Sequence, residues 1–300
     1  MKNAFFQNRP NFHFILYLYD NLVQQMIIVI QCRDQVGLVA SISALMAKHG
    51  YNIISLGEHV DVAENLFFMR LEVDGDQANP ELHNELQNIL PAGASITINP
   101  LPNKEIVVLV TREYHCLADI LIRNYFGTLG ATVKCVIGNH NVLADVCHRF
   151  DIPFYHVSYE DQSKEQAEQK IAGLVKQHNP HYVVLAKFMR ILSPQFNKDF
   201  AMRIINIHHS FLPAFVGANP YRQAFERGVK LIGATAHFVS DELDEGPIIA
   251  QQIIPVNHAH TAVDMMNAGR EIETSVLAKA LKLVFDDRVF VYNNRTVVIE

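Results

Sequence analysis

An asparagine and a histidine two residues apart close an otherwise aliphatic run in the segment INIHHSFLPAF, residues 204–214. If residues 204–210 are extended, Asn206, His208 and Ser210 share one face, and Ile205, Ile207 and His209 share the other. A carboxamide N–H can hold a carbonyl oxygen as it becomes an oxyanion, and an imidazole beside it can donate or take a proton near neutral pH. The acidic segment SDELDEGP, residues 240–247, offers a partner. A carboxylate against that histidine would fix its tautomer and favour the imidazolium, or orient a water. Asp244 is the candidate, because Gly246 and Pro247 predict a tight turn able to bring it over the strand end. A second reading stays open on spacing alone: His208 satisfies a backbone group, and DELDE is a solvated loop. His209, on the opposite face, is expected to pack or hydrogen-bond structurally.

Other chemistries lack their signatures. There is no GxGxxG, P-loop, GxSxG or HExxH. His258 and His260 alternate in HAH without a third ligand nearby, so no metal site is expected. A net charge of -6 gives no general attraction to phosphate backbones, which argues against a nucleic-acid partner. Cys32, Cys116, Cys135 and Cys147 form no CxxC pair and suit free thiols in a reducing, cytoplasmic setting. The early run FHFILYLY is too short to span a bilayer and no cleavage site follows it, so neither a membrane partner nor a secretory signal is expected.

The elements that must position these residues divide the 300-residue chain into two domains. Residues 1–25 read as an N-terminal extension, because regular patterning begins at MIIVIQC and Met26 is a candidate start. From 26 to 99 the order is βαββαβ, a small antiparallel, ferredoxin-like sheet with two helices on one face. Residues 100–104, with the prolines and asparagines of NPLPNK, read as a linker. From 105 to 300 the grammar changes to short apolar runs, EIVVLV, ATVKCVI, YVVLA and RIINIH, between amphipathic helices such as KEQAEQKIAGLVKQH. Runs hydrophobic on both faces predict a mostly parallel, Rossmann-like sheet covered on both sides, an α/β fold. Ligands sit beyond the carboxyl ends of such strands, where residues 206–210 fall. A last helix over about 262–284 is capped by Thr261 with Asp264 three residues on, and FVYNNRTVVIE predicts a hairpin turned at Asn293 and Asn294.

Over about 105–285 the segments IPFYHV, LAKFMRILSP and RIINIHHSFLPAFVGANPYRQAFERGVKLIGATAHFVSDELDEGPIIAQ resemble the formyltransferase catalytic domain that uses 10-formyltetrahydrofolate. The resemblance implies a catalytic set at Asn206, His208 and Asp244. It also implies a folate site formed by Phe188, Met189, Arg190, Ile191 and Leu192, with Val239, Ser240 and Glu242 opposite. A flat pterin suits an apolar slot with a few backbone hydrogen bonds. Read without the resemblance, FMRIL would be core with an incidental arginine. Folate would be a substrate, with no tightly bound cofactor. Val216 departs from the family, where a basic residue is expected.

Residues 26–99 resemble an ACT domain through RDQVGLVASI and GYNI, which makes Asp34, Gly37 and Asn52 the effector-binding candidates. The resemblance leaves two readings of that module open, an amino-acid effector site or a purely oligomeric unit, and it implies a homo-oligomer.

An ACT domain ahead of this catalytic domain, with NIHHS where glycinamide ribonucleotide transformylases read N-I-H-P-S, resembles the hydrolytic, deformylase branch. There water replaces the amine acceptor and formate leaves. Transformylases hold the acceptor's phosphate on a glycine-rich loop after the first strand. The corresponding TREYHCLADIL has no glycine, so backbone amides cannot approach a phosphate as closely. Arg112 and His115 could still bind an anion, which keeps a phosphoribosylglycinamide formyltransferase as the alternative. A catalytically idle sensor is disfavoured by the complete Asn, His and Asp set. A tRNA formyltransferase is disfavoured because no room for an RNA-binding domain follows residue 285.

Overall fold

A computed structural model of the chain describes residues 25–75, 80–98, 103–160, 162–213 and 220–300, with the backbone alone at Pro220. The expected N-terminal extension therefore lies outside the described residues except for Gln25, as do Val216 and most of the expected linker. Two compact units divide the chain, one up to residue 100 and the other over 101–298.

The first unit runs β1 (Gln25–Arg33), α1 (Leu38–Lys48), β2 (Ile53–Asp61), β3 (Leu66–Asp74), α2 (Leu82–Ile89) and β4 (Ser95–Ile98). Its sheet has the order β2-β3-β1-β4, with every neighbouring pair antiparallel. Alternate residues of β1, Met26, Ile28, Ile30 and Cys32, meet Leu38, Ile42 and Met46 of α1 and Leu82 and Leu86 of α2 in one core. A two-residue strand period and a 3.6-residue helix period thus share one buried face.

This register separates the effector-binding candidates. Asp34 follows the end of β1 where Arg33 pairs with Leu66, and its N–H donates to Asn65 O at 3.0 Å. Gly37, in the left-handed region at φ 92°, opens α1 beside it. Asn52 lies at the other end, where Gln25 pairs with Asp74: its N–H donates to Asp74 Oδ1 at 2.5 Å, and its carbonyl accepts from Asp74 N–H at 3.0 Å. At about 3.3 Å per residue, β1 holds the two ends roughly 25 Å apart. One chain therefore gathers Asp34 and Gly37 but not Asn52.

The second unit runs β5 (Lys104–Val110), α3 (His115–Tyr125), β6 (Ala131–Gly138), α4 (Ala144–Arg149), β7 (Phe154–His156), α5 (Lys164–His178) and β8 (Tyr182–Leu185). It continues with α6 (Pro194–Asp199), β9 (Ile204–His208), α7 (Pro220–Arg227), β10 (Leu231–Phe238), β11 (Ile248–Pro255), α8 (Ala262–Phe285), β12 (Val289–Tyr292) and β13 (Arg295–Val298). The last residue of the expected linker, Lys104, already belongs to β5. The large sheet has the order β11-β10-β9-β8-β5-β6-β7, parallel from β9 to β7, with β10 antiparallel to both its neighbours. Ile106, Val108 and Val110 of β5 enter a core shared with α3 and α8, whereas Val107 and Leu109 enter another shared with α5 and α6. Burial on both faces is why these strands read as unbroken apolar runs.

The extended stretch stops at His208 rather than reaching Ser210. β10 pairs Thr235 with His208, and beyond that point the Thr235 side chain replaces the ladder. Its Oγ1 donates to Ser210 O at 2.9 Å and accepts from Leu212 N–H at 3.1 Å and Gln251 Nε2 at 2.9 Å. Ser210 is thereby buried in the bend and leaves the face of Asn206 and His208.

Asn293 and Asn294, at φ 42° and 58°, turn the β12–β13 hairpin as expected. No described helix is long and apolar enough to cross a membrane. Helix α8 starts in a capping box: Thr261 accepts from Asp264 N–H at 3.2 Å, and Asp264 accepts from Thr261 N–H at 2.8 Å. Thr261→Ala should therefore cost about 1 kcal/mol in urea unfolding; an unchanged midpoint would contradict this account of how α8 begins.

Candidate active site

Asn206 and His208 stand at the carboxyl end of β9, on the face that Ile204 turns toward the α5 and α6 core, while Ile205 and Ile207 enter the core on the α8 side. Antiparallel β10 sets His237 directly opposite Asn206. The His237 ring has Nδ1 2.9 Å from Phe238 O and Nε2 3.2 Å from Asn206 Nδ2. With Nδ1–H donating to that carbonyl, Nε2 is left to accept from the Asn206 amide, which fixes the amide's orientation and leaves its second N–H for a ligand.

Asp244 arrives from the loop between β10 and β11. It takes the left-handed region at φ 58°, which aspartate tolerates better than most residues. Two residues on, a Cβ at Gly246 would lie 1.8 Å from Phe238 O, so only glycine fits that approach. Phe238 N–H also donates to Pro247 O at 2.9 Å, and Asn197 Nδ2 holds Ser240 O at 3.0 Å. Thus anchored, Asp244 Oδ2 is 3.2 Å from His208 Nδ1, and its Oδ1 is 3.7 Å from His237 Nε2. Burial opposes ionisation of Asp244, but the hydrogen bond to His208 favours the carboxylate, and the group is held far below the usual carboxylate range. His208 Nε2 is buried and has no partner among the described residues.

A cavity of about 340 Å³ opens above these groups. It brings together Asn206, His208 and Asp244 with Phe188, Met189, Arg190, Ile191 and Leu192 on one side and Val239, Ser240 and Glu242 on the other. Within FMRIL only Phe188 and Leu192 are buried core; Met189 and Ile191 are 52% and 60% exposed, apolar surface available to a flat ligand. The Arg190 guanidinium lies 4.9 Å from the centre of the Tyr159 ring.

His209 departs from expectation. The chain bends after His208, so His209 lines the same cavity, its ring centre 5.0 Å from that of His208. Burial and the nearby Lys187 charge lower its pKa to about 4, so it is neutral at physiological pH.

Sequence reasoning also missed a buried polar cluster beside His209. Glu273 of α8, 1% exposed, accepts from Tyr221 OH at 2.7 Å, faces His115 Nε2 at 2.7 Å and pairs with Lys187 Nζ at 3.1 Å. Burial alone would raise its pKa, but His115, Lys187 and Tyr221 pull it down to about 2. His115 and Glu273 lie with Cys116 in metal-ligating range, yet Lys187 already neutralises the carboxylate there. With Arg112, His115 is one of the two residues left to bind an anion after β5, and it is the first residue of α3. It is engaged by Glu273, and Glu113 beside it pairs with Arg270 at 3.0 Å.

A family model described as formyl transferase matches residues 104–281, and one described as ACT domain matches residues 26–89. The formyltetrahydrofolate deformylase of Escherichia coli O6:H1 is 51% identical over 268 residues, covering 89% of this chain and 96% of its own. The chain belongs to the formyltetrahydrofolate deformylase family. A solved deformylase from Pseudomonas syringae aligns with a TM-score of 0.88 at 41% identity, covering 96% of this chain and 98% of that one. Glycinamide ribonucleotide transformylase 1 from Symbiobacterium toebii is more distant, with a TM-score of 0.64 at 29% identity over 67% of this chain and 96% of that one.

The buried groups of this deformylase-family site should make it acid-sensitive. His209 is neutral in both folded and unfolded chains at high pH; below its ordinary value of 6.5 the unfolded chain gains a proton that the folded chain refuses until about 4. Glu273, depressed from 4.5 to about 2, stabilises the fold above 4.5 and loses that contribution as pH falls toward 2. The thermal midpoint is therefore expected to fall from pH 6.5 to 4.5, and to fall less in His209→Gln. An equal fall in both proteins would remove His209 as a cause.

Proposed function

We propose that the chain hydrolyses 10-formyltetrahydrofolate to formate and tetrahydrofolate. One observation carries this reading: Asn206, His208 and Asp244 converge on a cavity walled by the 188–192 and 239–243 segments. Those walls supply apolar surface and backbone polar groups for a folate.

In this reading water attacks the formyl carbon, the new C–O bond forms, and the bond to N10 breaks. The second N–H of Asn206 and Nε2 of His208, in its imidazolium form, meet the developing oxyanion. Asp244 orients the water and, as negative charge grows beside His208, takes its proton, which passes on to N10. A carboxylate this depressed in the resting site is a weak base, and the oxyanion's charge is what strengthens it. His237 is a positioning residue that fixes the Asn206 amide and touches Asp244. The folate enters as substrate, and the step needs no further cofactor.

The transferase alternative is disfavoured by the segment after β5, which has no glycine to bring backbone amides close to a phosphate and whose His115 is already engaged by Glu273. For the ACT unit, an amino-acid effector bound within one chain would meet Asp34 and Gly37 without Asn52; self-association of the unit, giving a homo-oligomer, is the reading that could use all three.

Formate release by the purified protein tests the reaction. The same rate with and without glycinamide ribonucleotide is expected, and release that requires the acceptor would establish a transferase instead. His208→Ala should lower turnover by about 10²- to 10³-fold with the fold intact; full turnover in that variant would refute its role.

A further inference from the structure

Lys187 is expensive to keep where it is. It follows β8 with a backbone φ of 62°, a conformation that glycine adopts freely and other residues only at a cost in free energy. Its side chain is 8% exposed and forms an ion pair with a carboxylate that is itself 1% exposed, and burying such a pair costs desolvation on both sides. Neither cost is needed to build the sheet, since a glycine would make the same turn. The residue nevertheless lines the cavity that holds Asn206, His208 and Asp244. Strain and buried charge retained together at a site point to a function for that side chain.

Its position suggests which one. The 188–192 and 239–243 segments are assigned to the folate, and of the remaining lining residues Lys187 and His209 lie beside the catalytic set, Lys187 tied to Glu273 of α8; we take this part of the lining as the nucleophile's side. Water reaches that side without recognition. An amine acceptor arrives largely as an ammonium and must lose its proton there; the Lys187 ammonium already occupies the Glu273 carboxylate, so it leaves an entering ammonium no counter-charge and opposes its close approach. His209, kept neutral, offers no compensating charge. Glu273 holds Lys187 in place and is itself held by His115 and Tyr221 from two other elements.

We propose that Lys187, positioned by Glu273, reserves the formyl group for water by keeping amine acceptors out of the nucleophile's side of the cavity. This rests on the hydrolytic reading of the same site. The reaction it suppresses is attack by an amine nitrogen on the formyl carbon: an N–C bond forms, the bond to N10 breaks, and the amine's proton ends on N10.

The test uses the full chain with 10-formyltetrahydrofolate and glycinamide as the probe amine, and reads the ratio of N-formylglycinamide to formate by mass spectrometry. A partition ratio does not change with the fraction of enzyme that is folded. The double variant Lys187→Gly with Glu273→Gln relieves the backbone and leaves neither charge buried alone; Lys187→Met removes the charge but keeps the length. Both are expected to raise the ratio by at least about ten-fold, the scale of a like-charge contact removed. A parental ratio in either variant overturns the proposal. So does a variant that makes neither product, since Lys187 would then serve the reaction itself and not the choice of nucleophile. If the parent enzyme releases no formate at all, it is the hydrolytic reading that fails.

Discussion

The proposed reaction requires a carboxylate that stays ionised although its side chain is only 11% exposed, and much of the second unit around it is arranged to that effect. Burial alone would push Asp244 toward its neutral form; its hydrogen bond to His208 reverses the balance, with His237 lying beside the same carboxylate. Those two histidines can reach it only because β9 ends where it does and β10 runs antiparallel beside it, setting His237 across from Asn206. The loop must then fold back tightly enough to deliver the carboxylate, which is why Gly246 sits against the Phe238 carbonyl with no room for a side chain. Strand register, turn chemistry and electrostatics all serve one contact, the 3.2 Å approach of Asp244 to His208.

The cavity around that contact is assembled from two kinds of surface. Its folate walls are loops with exposed apolar residues such as Met189, Ile191 and Leu243, suited to a flat ligand that arrives and leaves. Another part of its lining is polar, with Lys187 paired to a Glu273 carboxylate that His115 and Tyr221 also contact. Dispersion and burial can hold a flat substrate on the first, and in the proposal made above charge on the second selects what may approach the formyl carbon.

How much of this was legible in the sequence follows from how local each signal is. The period-two alternation across INIHH placed Asn206 and His208 on one face, and the Gly246–Pro247 turn located Asp244, because strand parity and turn chemistry are written within a few residues. His237 was missed although the same parity argument, applied to LIGATAHF, pairs it with Thr235 on one face of β10. Glu273 could not have been found this way: inside EIETSV it reads as solvent-facing polarity, and its burial appears only once α3 and α7 pack against α8. Lys187 was hidden for a related reason, since a left-handed lysine leaves no mark in composition. In the first unit the βαββαβ order was plain from periodicity, but the distance between Asp34 and Asn52 required the β1–β3 register, which pairs residues far apart in the chain.

The most direct test of the account is steady-state formate release by Asp244→Asn, an isosteric change that removes the negative charge while keeping the loop's backbone. If the ionised carboxylate works through the water and His208, kcat falls by about 10²- to 10³-fold while KM stays within a few-fold of the parent. A variant that turns over at the parental rate, or one that loses only substrate affinity, would contradict the central role given to that carboxylate.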